Sequence, residues 1–135
     1  GFEEKIIEGL RRFDLVETAI VIDFSAKRVK KLRELEPNLC VAWLTSLNKE
    51  ETPEACAQRI IATCKECGTN VVDVHFAAVT ADTLKTLEEA GVSVMCWTVD
   101  NPADIERMVK LGVKSITTNY PDRVLEAQKK FAEEK

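Results

Sequence analysis

Three ionisable side chains interrupt otherwise apolar runs: Asp23 in AIVIDF (residues 19–24), and Asp73 and His75 in VVDVHF (71–76). Asp23, near the end of its run, has two readings. It is a metal ligand or general base lining a pocket, or it caps the helix beginning at residue 26, where the positive end of the helix dipole favours a carboxylate. Asp73 and His75 are two residues apart, which in a strand puts both on one face. They read as an acid/base pair or as a polar couple that satisfies itself. Trp97, late in VSVMCWTV (92–99), is a stacking surface for a ligand or a core residue. Cys64-x-x-Cys67 is the only close cysteine pair, and His75 is the only histidine. A zinc site would need two further ligands. A redox dithiol would gain acidity at the start of a helix, whereas this pair falls at the end of one, so the thiols read as structural. The sequence contains no GxGxxG, P-loop, GxSxG or HExxH pattern. With one imidazole, a mechanism needing two cannot run from one copy of the chain.

The elements that must hold these residues alternate. EEKIIEGLRRF (3–13) carries Ile6, Ile7, Leu10 and Phe13 at helical spacing. AIVIDF is then a strand and AKRVKKLRELE (26–36) an amphipathic helix stopped at Pro37. LCVAWLT (39–45) is a second strand. Thr52 and Pro53 open a helix that Gly68 ends. VVDVHF is the third strand, and Thr80 caps the helix that runs to Gly91. Residues 92–99 are the fourth strand, Asn101-Pro102 starts a helix ending at Gly112, VKSITT (113–118) is the fifth strand, and Pro121 begins the last helix. Strands without polar alternation, each followed by a helix, predict a parallel α/β sheet buried on both faces. In such folds ligands bind at the carboxyl ends of the strands. That position selects Asp23, Phe24, His75, Trp97, Asn119 and Tyr120 as candidate pocket residues.

The 135 residues, 45% apolar and 31% charged, describe one globular domain, shorter than the ~250 residues of a complete eight-stranded α/β barrel. A net charge of −4 argues against nucleic-acid partners, which attract a surplus of Lys and Arg. No apolar run approaches the ~20 residues of a membrane span. The opening GFEEKIIEGL carries charge where an export signal needs an apolar core. Five cysteines, an odd number, do not read as a secreted disulfide framework. The expected compartment is the cytoplasm.

The segment VMCWTVDNPADIERMVKLGVKSITTNYPD (94–122) resembles the C-terminal end of the glycerophosphodiester phosphodiesterase family. That family closes its barrel with a V-x-V-W-T-V-N strand, a helix and a G-I-I-T-D-x-P strand. AIVIDFSAKRVKKLRELEPNLCVAWLT (19–45) is similar to the family's middle segment, a strand ending in Ser-Phe-Asp followed by a Leu-rich helix, a Pro and another strand. TADTLKTLEEAGVSV (80–94) is similar to the helix between them. The resemblance implies a partial (β/α)8 barrel made of a helix and five βα units, corresponding to units four to eight. A flavodoxin-like open sheet is the alternative architecture. The family reaction it implies is metal-dependent (Mg or Ca) hydrolysis of glycerophosphodiesters to an alcohol and glycerol phosphate, a step of lipid metabolism. The family's His-Arg pair, Glu-x-Asp, second His and third-strand Glu belong to the first three strands. None of these motifs is in this chain. The resemblance therefore assigns it no catalytic and no metal-binding residue, and the expected isolated chain is inactive or a non-catalytic binding scaffold. What carries over is pocket wall: Phe24, Trp97 and Tyr120-Pro121. Three positions depart from the family pattern: Asp23 stands for Ser, Asp100 for Asn, and Asn119 for Asp.

Five barrel strands leave two unpaired edges and an open apolar inner face, both liabilities in water. Two partners would relieve them: a second copy, giving a two-fold homodimer, or the missing N-terminal barrel segment. A third solution is internal, with the leading helix folded over the open face as a lid.

Overall fold

Each apolar run becomes a parallel strand, and each is followed by a helix. The structure, a computed structural model, describes residues 1–135. Its order is α1 (Phe2–Arg12), β1 (Ile20–Asp23), α2 (Ala26–Leu35), β2 (Cys40–Thr45), α3 (Pro53–Cys67), β3 (Val71–His75), α4 (Ala81–Glu89), β4 (Ser93–Trp97), α5 (Pro102–Leu111), β5 (Ser115–Ile116) and α6 (Pro121–Glu133). The strands lie side by side in the order β1-β2-β3-β4-β5, all parallel. This is the arc of a half-barrel and not the flavodoxin-like order, in which β1 would lie between β2 and β3. Short βα units keep consecutive strands adjacent. The expected fifth strand, 113–118, shrinks to Ser115–Ile116, flanked by backbone bonds from Lys114 to Val94 and from Thr117 to Cys96. No helix is long and apolar enough to cross a membrane.

The strand-to-helix turns are closed by caps that the sequence specifies. Oxygens of Ser25, Thr52, Thr80 and Asn101 accept from the first-turn N–H groups of α2, α3, α4 and α5 at 2.9–3.3 Å. Thr80 and Thr83 cap each other reciprocally. These bonds satisfy donors that a helix start leaves orphaned, and they hold the loops at the carboxyl ends of the strands. At the other ends, Gly68 (φ 74°) and Gly112 (φ 77°) stop α3 and α5 in the left-handed conformation that side chains disfavour.

The two faces of the sheet differ. Val41, Val72, Val74, Val94 and Cys96 point into the helical layer and are fully buried against residues such as Val29, Leu32, Ile60, Leu87, Ile105 and Met108. The opposite, concave face carries Ile20, Ile22, Leu44, Val71 and Met95. Ile20 and Ile22 remain 51% and 48% exposed. The leading helix does not cover this face. The stripe Ile6, Ile7 and Leu10 packs into the core on the outer side of α2, and Phe13 stays exposed. Ion pairs Lys31–Glu4 at 2.9 Å and Arg11–Glu36 at 2.9 Å tie α1 to α2 and its C-terminal cap. The lid expectation is thus corrected: α1 has an apolar partner of its own in the helical layer.

Candidate functional site

Four aromatic rings meet at the carboxyl ends of β1, β3 and β4. Cross-strand register sets His75 beside Trp97, with the two rings edge-to-face at 5.0 Å. Phe24, just past β1, meets Trp97 edge-to-face from the other side at 6.1 Å. Phe76 begins a 3-10 turn (Phe76–Ala78) directly after β3 and stacks on His75 at 4.4 Å. Perpendicular and offset rings are favoured arrangements because the ring edge is positive and the face negative. Phe24 is 61% exposed, so this wall faces open space. Trp97 is pinned by its indole N–H, which donates to the Asp73 carbonyl at 3.1 Å. It is both half-buried packing and available surface. The backbone N–H of Ala77 donates to Nδ1 of His75 at 3.2 Å. Nε2 therefore carries the proton in the neutral ring and is left to donate to a ligand.

Asp23 is not part of this wall. Alternation along β1 turns it toward the helices with Val21. One oxygen accepts from Ser25 N–H at 2.7 Å, and the other pairs with Arg28 Nε at 2.8 Å. Burial pushes its carboxyl up, but the Arg28 and Ser25 hydrogen bonds outweigh that, leaving it below the ordinary value. Its contacts are those of a helix-capping carboxylate.

Asp73 and His75 do share the concave face, yet they form no couple. Side chains two apart in a strand are about 6.6 Å from each other along the chain, and the Nδ1 of His75 is engaged by the following turn. Asp73 is 1% exposed, and its Oδ1 has no hydrogen-bond partner. Burial pushes the carboxyl up to about 6. The sequence signal was available in an acid at the middle of an apolar strand, but neither reading of it anticipated an unpartnered group. Phe76 ends the VVDVHF run at the carboxyl end of β3, where position alone selects it with His75; the 3-10 turn that begins there and the stacking of its ring on His75 come from the structure.

At the far end, Asn119 and Tyr120 follow β5 and are exposed. Asp100 accepts from Asn119 N–H at 2.8 Å, Asn119 Nδ2 at 2.9 Å and Thr118 Oγ1 at 3.1 Å. These bonds, those of the Asn119 backbone first, lower its carboxyl. Arg123 donates to the Asp100 carbonyl at 3.2 Å and lies 3.9 Å above the Tyr120 ring. Two of the departures from the family pattern are thus partners. Asp stands where the pattern has Asn and Asn where it has Asp, and in this chain the two side chains link the last two loops.

Elsewhere, all five cysteines are free thiols and four are buried. Burial pushes Cys64 and Cys96 up to about 12, which keeps them protonated and unreactive. No three His, Cys, Asp or Glu side chains come together as a metal site. A cavity of about 390 Å³ opens between α5 and α6, lined by Ile105, Val109, Ala127 and Phe131. It belongs to the helical layer and not to the concave face.

The comparisons agree with this geometry. Residues 2–123 match the Glycerophosphoryl diester phosphodiesterase family. A glycerophosphodiester phosphodiesterase of Caldanaerobacter subterraneus is 26% identical over 132 residues, which is 96% of this chain and 50% of that protein. One from Bacillus subtilis is 27% identical over 129 residues, 90% of this chain and 42% of that protein. The crystal structure of a glycerophosphodiester phosphodiesterase from Parabacteroides distasonis superposes with a TM-score of 0.77 at 26% identity, covering 96% of this chain and 51% of that one. The chain spans about half the length of the curated relatives it matches. By fold, by sequence and over nine-tenths of its length, the chain belongs to the glycerophosphoryl diester phosphodiesterase family.

Proposed function

We propose that this chain contributes the C-terminal half of a barrel that hydrolyses glycerophosphodiesters to an alcohol and glycerol phosphate. The observation that carries the reading is an arc of five family strands with both outer edges unpaired, spanning about half of each relative. In this reading Phe24 and Trp97 offer apolar surface to the carbons of the substrate, and His75 donates from Nε2 to one of its oxygens. Asn119 and Tyr120 form the rim opposite, held by Asp100 and Arg123. Asp23 stands behind the wall and steadies the start of α2. Cleaving a phosphodiester requires stabilised negative charge and a proton for the leaving alkoxide. The residues present do not make that set. They also do not fit a divalent cation, since Asp23 and Asp100 spend their oxygens on Arg28, Ser25, Thr118 and Asn119. The groups that do the chemistry come, in this reading, from the segment that closes the barrel.

The test is complementation. The purified 135-residue chain with Mg2+ or Ca2+ should not turn over glycerophosphocholine above background. Adding the part of the Caldanaerobacter enzyme that the match leaves uncovered should produce metal-dependent turnover, which Trp97→Ala lowers. Turnover by the chain alone, or none from the mixture, would overturn the proposal.

A second reading is a two-fold homodimer that buries two concave faces, favoured by the exposed row Ile20, Ile22 and Phe24 on an edge strand. Apolar burial contributes roughly 25 cal/mol per Å², and two-fold pairing closes where head-to-tail edge pairing runs on. Light scattering at tens of micromolar should then give about 30 kDa, twice 15.1 kDa; a clean single-chain mass refutes it. We assign the chain to cytoplasmic lipid metabolism, a reading supported by its five unpaired thiols.

A further inference from the structure

The most unusual atom in the molecule is Oδ1 of Asp73. Register puts Asp73 in the middle strand and in one row with Leu44 on β2, Met95 on β4 and Ser115 on β5. The row lies one layer below the His75–Trp97 wall, on the face that the helices do not cover. Leu44 and Met95, both apolar and half-buried, flank the carboxyl. A buried polar atom without a partner is rare, and a buried carboxylate without one is costly. None of the polar groups in the layer above bonds it. The Trp97 indole N–H donates to the backbone carbonyl of Asp73, and His75 Nδ1 accepts from the Ala77 N–H, which leaves only Nε2 of His75 uncommitted.

We propose that Asp73 is a cation-accepting site at the centre of the concave face, filled in the complete barrel by a basic side chain that the complementing segment carries inward. The inference rests on the half-barrel reading for its occupant. Three observations join in it: a carboxyl that is 1% exposed and unpartnered, its position at the middle of an uncovered apolar face, and a covered length of about half in every relative described. A basic group is the partner that removes the charge as well as filling the lone pairs. An apolar group in its place would leave a buried anion. Met95, with its flexible thioether chain, lies beside Asp73 in the same row.

Two arms separate this inference from the reading beneath it. In the first, n-butylguanidinium, a surrogate for an arginine side chain, is titrated into the chain while the 13C signals of the Asp73 carboxyl and of the Leu44 and Met95 methyls are followed. Saturable shifts at all three residues are expected, with Asp73→Asn at least tenfold weaker and n-butanol without effect. In the second, wild type and Asp73→Asn are titrated with the uncovered part of the Caldanaerobacter enzyme. Tighter assembly with wild type supports the occupant. Assembly failing for both while the guanidinium arm succeeds overturns the half-barrel reading and leaves the acceptor site standing. Equal guanidinium binding by wild type and Asp73→Asn overturns the acceptor site itself. The variant keeps the shape of the side chain and removes a buried charge, and an unchanged far-ultraviolet circular dichroism spectrum shows that it folds.

Discussion

Asp73→Asn should stabilise the isolated chain, and only above a particular pH. Burial raises the carboxyl from an ordinary 3.8 to about 6. At about 1.4 kcal/mol for each pH unit, the ionised form costs about 3 kcal/mol of folding stability. The sign follows from proton counting. Between about pH 4 and pH 6 the folded chain holds a proton that the unfolded chain has lost, so wild-type stability falls as pH rises through that window. Above about pH 6 both states are ionised and the full penalty remains. Below about pH 4 both are protonated and it vanishes. Asparagine, neutral throughout, lacks the penalty. The groups that face Asp73 leave the profile interpretable. Leu44 and Met95 beside it are neutral, and burial pushes Cys96, on the other face of the next strand, up to about 12. His75, the one imidazole, is removed by measuring both proteins in a His75→Gln background. Urea unfolding followed by circular dichroism from pH 4 to pH 8 should show a difference near zero at the acid end. It should grow to between about 1 and 3 kcal/mol at pH 8, the lower value allowing for side-chain relaxation. A difference that is flat with pH, or an Asn variant less stable at pH 8, would refute the argument that the carboxyl is buried and unpartnered.

Other substitutions test the frame around the site. Arg59 bonds Glu51 at 2.8 Å, Thr45 Oγ1 at 3.1 Å and the Ser46 carbonyl at 2.8 Å, closing the longest βα loop. Arg59→Ala should lower unfolding stability by about 2–3 kcal/mol, with Arg59→Lys recovering part, and an unchanged urea midpoint would contradict this. The Asp100–Asn119 exchange predicts a compensation. Asp100→Asn alone should make the Asn119 amide proton exchange several-fold faster, and the double variant with Asn119→Asp should return it toward the wild-type rate. No recovery would mean that the two positions are not partners.

Much of this fold is legible from local physics. Thr52, Thr80 and Asn101 before helices and Gly68 and Gly112 after them mark ends that depend only on nearby backbone groups, and the structure repeats them. Apolar runs without alternation predict parallel strands for the same reason. The W-T-V and I-T-T-x-Y-P segments identify the family because they lie close together in the chain. Edges were harder. The expected fifth strand narrows to Ser115–Ile116, and strand propensity cannot report how far a segment stays in register with its neighbour. The direction of a side chain was also undetermined. Asp23 and Phe24 are consecutive, yet one caps a helix and the other faces the open concavity, since the two faces of a strand become different places only after helices have covered one of them. Asp73 shows the limit most clearly. Its residue type and position were visible in the sequence, but whether a buried acid has a partner depends on atoms brought from distant segments. Only the tertiary structure decided that none of this chain's own groups reaches it.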